Sequence, residues 1–248
     1  MTTSKHAEEK AFLEGPHSRG RELFFLFKVM LQFIKGFRKF HFLGPCATVF
    51  GSARFGEDHP YYAKAREIGA ALANLGFTVM TGGGPGIMEA ANRGAKEAGG
   101  RSVGCNIVLP VEQEPNKYLD RWVSIDYFFV RKVLLSKYSF VFVVMPGGYG
   151  TLDEFFEALT LIQTNKVKNF PVVLFGVEFH KKLHEHFQFC VKQGTVNEQD
   201  LSMFLFTDSI EEAAQYIEDN AIQRFHLRKK KNIFPIKLLG ERKEKYVN

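Results

Sequence analysis

Two glycine-rich turns are the residues of this 248-residue chain whose types and spacing could do chemistry: Gly82-Gly83-Gly84-Pro85-Gly86 and Gly147-Gly148-Tyr149-Gly150-Thr151. Each follows an apolar run and leads directly into a helical pattern. Glycine lets backbone N–H groups crowd around an anion, and the start of a helix adds a favourable dipole, so the chemistry is recognition of a nucleotide phosphate. Thr151 can cap the second helix or donate to phosphate, and Asp153 and Glu154 are expected in its first turn. Taken singly, each turn reads equally well as tight packing. Two nucleotide motifs are excluded. GxxxxGK[ST] is absent, and GxGxxG fails because its last position is Ile87 counting from Gly82 and Glu89 counting from Gly84. P-loop ATP hydrolysis and hydride transfer with NAD lose their main support. His180, His184, Glu185 and His186 lie in HKKLHEH, which is not HExxH, and beside Lys181 and Lys182 they read as a solvated helix. Neither a metal nor a cofactor is expected.

The elements that must hold these turns alternate. Short apolar runs at 47–51, 77–81, 102–109, 122–127, 140–145, 171–175 and 203–206 read as strands, the clearest being Phe140–Met145 (FVFVVM), which has no polar side. Helical patterns lie between them: from Pro60 to a stop at Gly76, from Ile87 to about Ala98, from near Val130, from Thr151, from Phe179 and from Ser209 to about Phe225. The expected fold class is α/β, a Rossmann-like parallel sheet with helices on both faces. An extra helix precedes it. Leu23, Leu26, Phe27, Met30, Phe33, Ile34 and Phe37 share one face, and Lys28, Gln32, Lys35 and Lys39 mark the other. Such a helix could lie on a membrane surface; packing on the body or on a second subunit is the plainer expectation. The organisation is an extension over 1–44, one nucleotide-binding catalytic domain over 45–226 and a basic tail over 227–248.

The bulk properties are those of a globular protein, 45% hydrophobic and 24% charged. Three cysteines, Cys46, Cys105 and Cys190, form no CxxC pair and argue for a reducing compartment, with Cys46 and Cys105 as core residues. The opening MTTSKHAEEK has no secretory layout, and a cytoplasmic location is expected. Eight basic against two acidic residues between Arg228 and Asn248 account for the whole formal charge of +6. The body is therefore neutral, and neither nucleic acid nor a membrane is the expected partner.

In combination the motifs are far more specific. GGGPGIMEAANRGA (82–95), FFVRK (128–132) and PGGYGTLDE (146–154) resemble, in order and spacing, the LONELY GUY family, whose signature is PGGxGTxxE with an upstream Arg-Lys. Its members were often labelled lysine decarboxylases, yet the sequence holds no recognisable pyridoxal-phosphate lysine motif. The resemblance implies a Rossmann-like homodimer or larger assembly. It also implies hydrolysis of the N-glycosidic bond of a nucleoside 5′-monophosphate to free base and ribose 5-phosphate. Members act on cytokinin riboside monophosphates and many also on AMP. Short plant-type members carry Met-His two residues before the Arg, where this chain has Phe128-Phe129-Val130 ahead of Arg131, so it looks like the longer subgroup.

Cleaving a ribosyl bond passes through an oxocarbenium-like state that needs a nearby carboxylate and help for the departing base. With the resemblance, Glu154 is the expected catalytic carboxylate and Arg131 the cation that clamps phosphate or polarises the leaving base. The other reading of Glu154 is an acid near a helix start, and that of Arg131 a surface salt bridge. Gly83, Gly84, Lys132, Gly147, Gly148, Tyr149, Gly150 and Thr151 are expected to bind substrate; Thr160 and Glu112 resemble substrate contacts of relatives. Glu89 could face the pocket or serve its helix start. A non-catalytic nucleotide-binding or sensing module on the same fold is the alternative.

Overall fold

The structure, a computed structural model, describes residues 18–109, 114–168 and 170–223. The N-terminal residues 1–17, Glu112 and the basic tail lie outside the described residues. Seven strands form one sheet, all neighbours parallel: β1 (Cys46–Phe50), β2 (Thr78–Thr81), β3 (Ser102–Ile107), β4 (Arg121–Ile125), β5 (Ser139–Val144), β6 (Val172–Phe175) and β7 (Phe204–Thr207). Their spatial order is β4-β3-β2-β1-β5-β6-β7, so the chain builds outward from β1 in one direction and then returns to build in the other. The order reverses between β1 and β5, and the crevice beyond the carboxyl ends of two such strands is where open parallel sheets bind ligands.

Both faces of the sheet are covered, which is why the strands read as continuous apolar runs. On one face, Cys46, Phe50, Met80, Cys105, Phe142, Val144 and Leu174 pack under α1 (Arg19–Phe40), α4 (Phe128–Tyr138), α5 (Tyr149–Gln163) and α6 (Val177–Lys192). On the other, Ala47, Val49, Val79, Val141, Val143 and Val173 pack under α2 (Pro60–Asn74), α3 (Ile87–Glu97) and α7 (Ile210–Ile217). Adjacent residues alternate between the two faces, the period of a strand. Cys46 and Cys105 are core residues, and burial pushes both thiols up to about 12.

Several boundaries differ from the sequence expectation, and those nearest the site matter most. The strand expected to end near Phe128 ends at Ile125, and Phe128 opens α4, because Val130 and Leu134 recur at helical spacing against the core. Helix α5 begins at Tyr149 with Gly148 as its N-cap, two residues before the expected Thr151. Helix α1 is also turned. Val29, Phe33, Gly36 and Phe40 face the body, Gln32 bonds to Asp126, and the Lys35 ammonium donates to the Ser124 carbonyl at 2.7 Å. The stripe formed by Leu23, Leu26, Phe27, Met30, Ile34 and Phe37 is left exposed. The cause is Gly36, where a Cβ would stand 2.4 Å from a Leu134 methyl, so the helix approaches α4 along its glycine side. Among the described residues no helix is long and apolar enough to cross a membrane.

Helices α2 and α3 meet backbone to backbone. A Cβ on Gly69 would lie 2.1 Å from the Ala91 carbonyl oxygen, and one on Gly94 would lie 1.8 Å from that of Arg66. The obstacle is main chain on both sides, so no rotamer change relieves it. Gly94→Ala should therefore destabilise the protein by about 1–3 kcal/mol, the usual range for overpacking. The check is the urea midpoint. Gly20→Ala on α1, where a Cβ would meet nothing within 4 Å, should not lower it.

Candidate active site

The backbone of Ser52, just beyond β1, joins both glycine turns. Its N–H donates to the Pro146 carbonyl at 3.0 Å, and its carbonyl accepts from Ile87 N–H, also at 3.0 Å. A Cβ on Gly147 would be 3.0 Å from the Ser52 nitrogen, and one on Gly86 would be 2.4 Å from the Ser52 oxygen. Gly86 also has φ +69°, in the left-handed region. Glycine at these two positions is what lets three loops, from β1, β2 and β5, close on one another.

The two turns then differ. In the first, the Gly83 N–H donates to the Thr81 hydroxyl at 2.9 Å, and that hydroxyl donates to Asn92 Oδ1 at 2.7 Å. Asn116 N–H donates to the Gly83 carbonyl at 2.9 Å, and its side-chain amide bonds both the Gly84 carbonyl and Asn92 Oδ1. The main-chain groups of this turn are largely engaged internally. It serves instead as a seat for Arg131. A Cβ on Gly82 would lie 2.4 Å from the Arg131 guanidinium, whose Nε donates to the Cys105 carbonyl at 2.9 Å.

The second turn is open. Gly148, Tyr149 and Gly150 are exposed and begin α5 with no side-chain cap; the Thr151 and Leu152 N–H groups donate back to the Gly148 carbonyl at 3.0 Å, which leaves those of Tyr149 and Gly150 pointing out of the helix without intrahelical acceptors. The capping role considered for Thr151 does not occur, since the N-cap is Gly148. Thr151 is buried, and its hydroxyl stands against Gly147, at 2.2 Å from where a Cβ would be. Tyr149 is 94% exposed, so what it offers the crevice is its backbone.

Asp153 and Glu154 lie in the second turn of α5 rather than the first, which carries no acid. That removes the helix-start reading of Glu154, because the dipole effect fades within one turn. Glu154 is only 4% exposed, and burial raises its carboxyl pKa while Lys132 and then Arg131 oppose that rise. The Lys132 ammonium lies 3.7 Å from Glu154 Oε2 and 3.0 Å from Asp153 Oδ2, and it also pairs with Glu157. Burial works against the Lys132 charge, yet the bonds to Glu157 and Asp153 hold its pKa above the ordinary lysine value. Arg131 and Lys132 are side by side on α4, and this is how one dipeptide serves two places: Arg131 reaches over Gly82, Lys132 reaches α5.

Arg131, Lys132, Glu154 and the 147–151 turn are thus brought together at the sheet's point of reversal. Thr160 is not. It is exposed and its hydroxyl donates to the Phe156 carbonyl; six residues past Glu154, it lies about 9 Å further along α5 and a third of a turn round. Glu89 accepts from the Tyr62 hydroxyl at 3.3 Å. The histidines of α6 have separate surroundings: His180 is buried, which pushes its pKa down to about 4, His184 stacks on Phe206, and His186 lies beside Cys190. Ser52, Asn92 and Asn116 were not singled out by sequence reasoning. Ser52 acts through its backbone, and the asparagines act on a turn 32 residues away in the case of Asn116 and Gly84. Neither effect leaves a spacing pattern in one sequence.

Comparison with known proteins agrees with this geometry. The family model described as possible lysine decarboxylase matches residues 88–217. A cytokinin riboside 5′-monophosphate phosphoribohydrolase of Mycobacterium tuberculosis is 39% identical over 98 residues, covering 39% of this chain and 52% of that one. The chain thus spans about half the length of that relative. A protein of the same name from Arabidopsis thaliana is 27% identical over 177 residues, covering 69% of this chain and 81% of that one. The molybdenum cofactor binding protein of Rippkaea orientalis, 24% identical with a TM-score of 0.54, covers 71% of this chain and 96% of its own, and it shares the fold. With the signature Pro146–Glu154 and the pair Arg131-Lys132 set on one crevice, the chain belongs to the family described as possible lysine decarboxylase, the LONELY GUY family.

Proposed function

We propose that the chain is a phosphoribohydrolase that cleaves the N-glycosidic bond of a nucleoside 5′-monophosphate, with a cytokinin riboside monophosphate or AMP as substrate. The observation that carries this reading is a buried carboxylate, Glu154, one turn along the helix whose open N-terminus can hold a phosphate. The relatives named for this activity support it. In the reaction the 5′-phosphate meets the first-turn amides of α5. Glu154, kept ionised by Lys132, faces the sugar, offsets positive charge as the bond to the base breaks, and takes a proton from the attacking water. Arg131 donates a hydrogen bond to the departing base, which takes up a proton from solvent, while Glu154 gives the water's proton back to solvent and is ionised again. Water's hydroxyl ends on C1′, giving ribose 5-phosphate. A carboxylate with a raised pKa is the better proton acceptor, so the burial of Glu154 serves the chemistry.

Glu154→Gln and Arg131→Ala should each lower base release from AMP or isopentenyladenosine monophosphate by about 10²–10⁴-fold with the fold intact. Chromatography of the free base reads the loss, and full activity in either variant sinks the assigned roles. Saturable AMP binding by the unaltered protein with no base released would favour a sensing module instead.

The pH dependence has a fixed sign. Because the folded-state pKa of Glu154 is raised, the acid limb of kcat/KM should lie above the ordinary carboxylate value, and activity should fall as pH drops through it. Stability runs the other way. An ionised carboxylate that folding disfavours costs stability above its raised pKa and nothing below its unfolded one. Glu154→Gln should therefore raise the melting temperature at neutral pH, with the gain fading as pH falls through the raised value. Equal melting temperatures at pH 7 would contradict the burial argument.

A second copy of the chain is the expected partner. The exposed stripe belongs to a helix packed on α4, and α4 and α5 themselves expose Phe128, Phe129, Val133 and Phe156. Single-chain proteins seldom keep an apolar surface of that extent in water. Phe27→Asp combined with Met30→Asp should reduce the mass measured by light scattering toward that of one chain; an unchanged mass would place the contact elsewhere.

A further inference from the structure

Charge at the candidate site does not favour an incoming phosphate. The two cations Arg131 and Lys132 stand among three carboxylates, those of Asp153, Glu154 and Glu157. All three bear on Lys132, and Arg131 gives its Nε to the Cys105 carbonyl. A phosphomonoester carries nearly two negative charges at neutral pH. Backbone amides alone would have to hold it against a cluster whose net charge is already negative.

One further cation branches from the chain two residues past the one that joins the two turns. Arg54 follows Ser52, and its root is fixed from several sides. Its N–H donates to the Ser52 hydroxyl at 3.1 Å, Ser52 is tied to Pro146 and Ile87, and a Cβ on Gly86 would lie 2.8 Å from the Ala53 carbonyl carbon. The guanidinium itself is exposed and makes no hydrogen bond or ion pair among the described residues. The nearby Glu57 carboxylate is drawn away by Arg93, at 2.9 Å. A pinned backbone with a free, permanently charged fork suits an oxyanion that arrives with a ligand.

We propose that Arg54 is the phosphate-recognising residue of this site, pairing with the 5′-phosphate of a nucleoside monophosphate held at the start of α5. The assignment rests on the hydrolase reading for its substrate, but its ligand chemistry is the phosphomonoester alone. Arg54 contributes binding and discrimination and takes no part in breaking the glycosidic bond. It gives the enzyme a means to prefer a phosphorylated nucleoside over the same nucleoside without phosphate.

The test compares the unaltered protein with Arg54→Ala and Arg54→Lys in two measurements. In the first, calorimetric titration with ribose 5-phosphate should show Kd weakened about 10- to 100-fold in Arg54→Ala, the range for one charge-assisted hydrogen bond, and part of the loss recovered in Arg54→Lys. In the second, KM for AMP should rise by a similar factor with kcat changed far less, while any slow cleavage of adenosine stays as it was. A merely structural role would depress AMP and adenosine turnover together, and that result overturns the proposal. So does ribose 5-phosphate binding that ignores Arg54, or its absence in the unaltered protein. If no base is released by any form but ribose 5-phosphate binding still depends on Arg54, the hydrolase reading falls and the phosphate assignment stands.

Discussion

The site is organised around the backbone of one residue, Ser52. Ser52 donates to the turn after β5 and accepts from the helix after β2, so the reversal in strand order is sealed by two hydrogen bonds through a single residue. Two glycines flank that backbone because a side chain on either would strike it. The constraint is steric first and electrostatic second. Once the loops close, the start of α5 and the seat of Arg131 have fixed positions, and the charged groups inherit them. Preorganisation of this kind spares a site the cost of ordering its dipoles when substrate arrives.

Electrostatics inside that frame is arranged at some cost. A carboxylate removed from water is unfavourable unless a cation accompanies it. Here Lys132 accompanies Glu154 but is shared with Asp153 and Glu157, so Glu154 is neither fully compensated nor free to drift. A single strong ion pair would hold the carboxyl low and make it a poor base. Burial raises the Glu154 pKa, and one ammonium divided among three acids opposes that rise only in part.

Much of this was legible in the chain itself. The strands could be read because both sheet faces are covered, which leaves unbroken apolar runs such as 140–145. The pair Arg131-Lys132 and the acid Glu154 were legible through the resemblance to the LONELY GUY signature, since taken alone Glu154 reads as an acid near a helix start. What escaped was governed by contacts between distant segments. Helix α1 turned its glycine side to the body, since close approach at Gly36 outweighs the width of an apolar stripe. Thr160 kept the right spacing but fell on another side of α5. Gly83 had the right residue type, yet Thr81 and Asn116 had already claimed its amide and carbonyl.

The link between β3 and β4 carries a different lesson. These neighbouring parallel strands are joined by residues 108–120, whose described part, 108–109 and 114–120, forms no helix, and Asn116 fastens that part to Gly83 and Gly84. A crossover helix would have tied this stretch to the core through its buried face. A link tied down at a few polar points can lengthen, shorten or change composition while the sheet beneath it keeps its register. Its described part lies against the turn that seats Arg131, through Asn116. Descendants of this chain can therefore alter what the crevice admits without first having to re-solve how the protein folds.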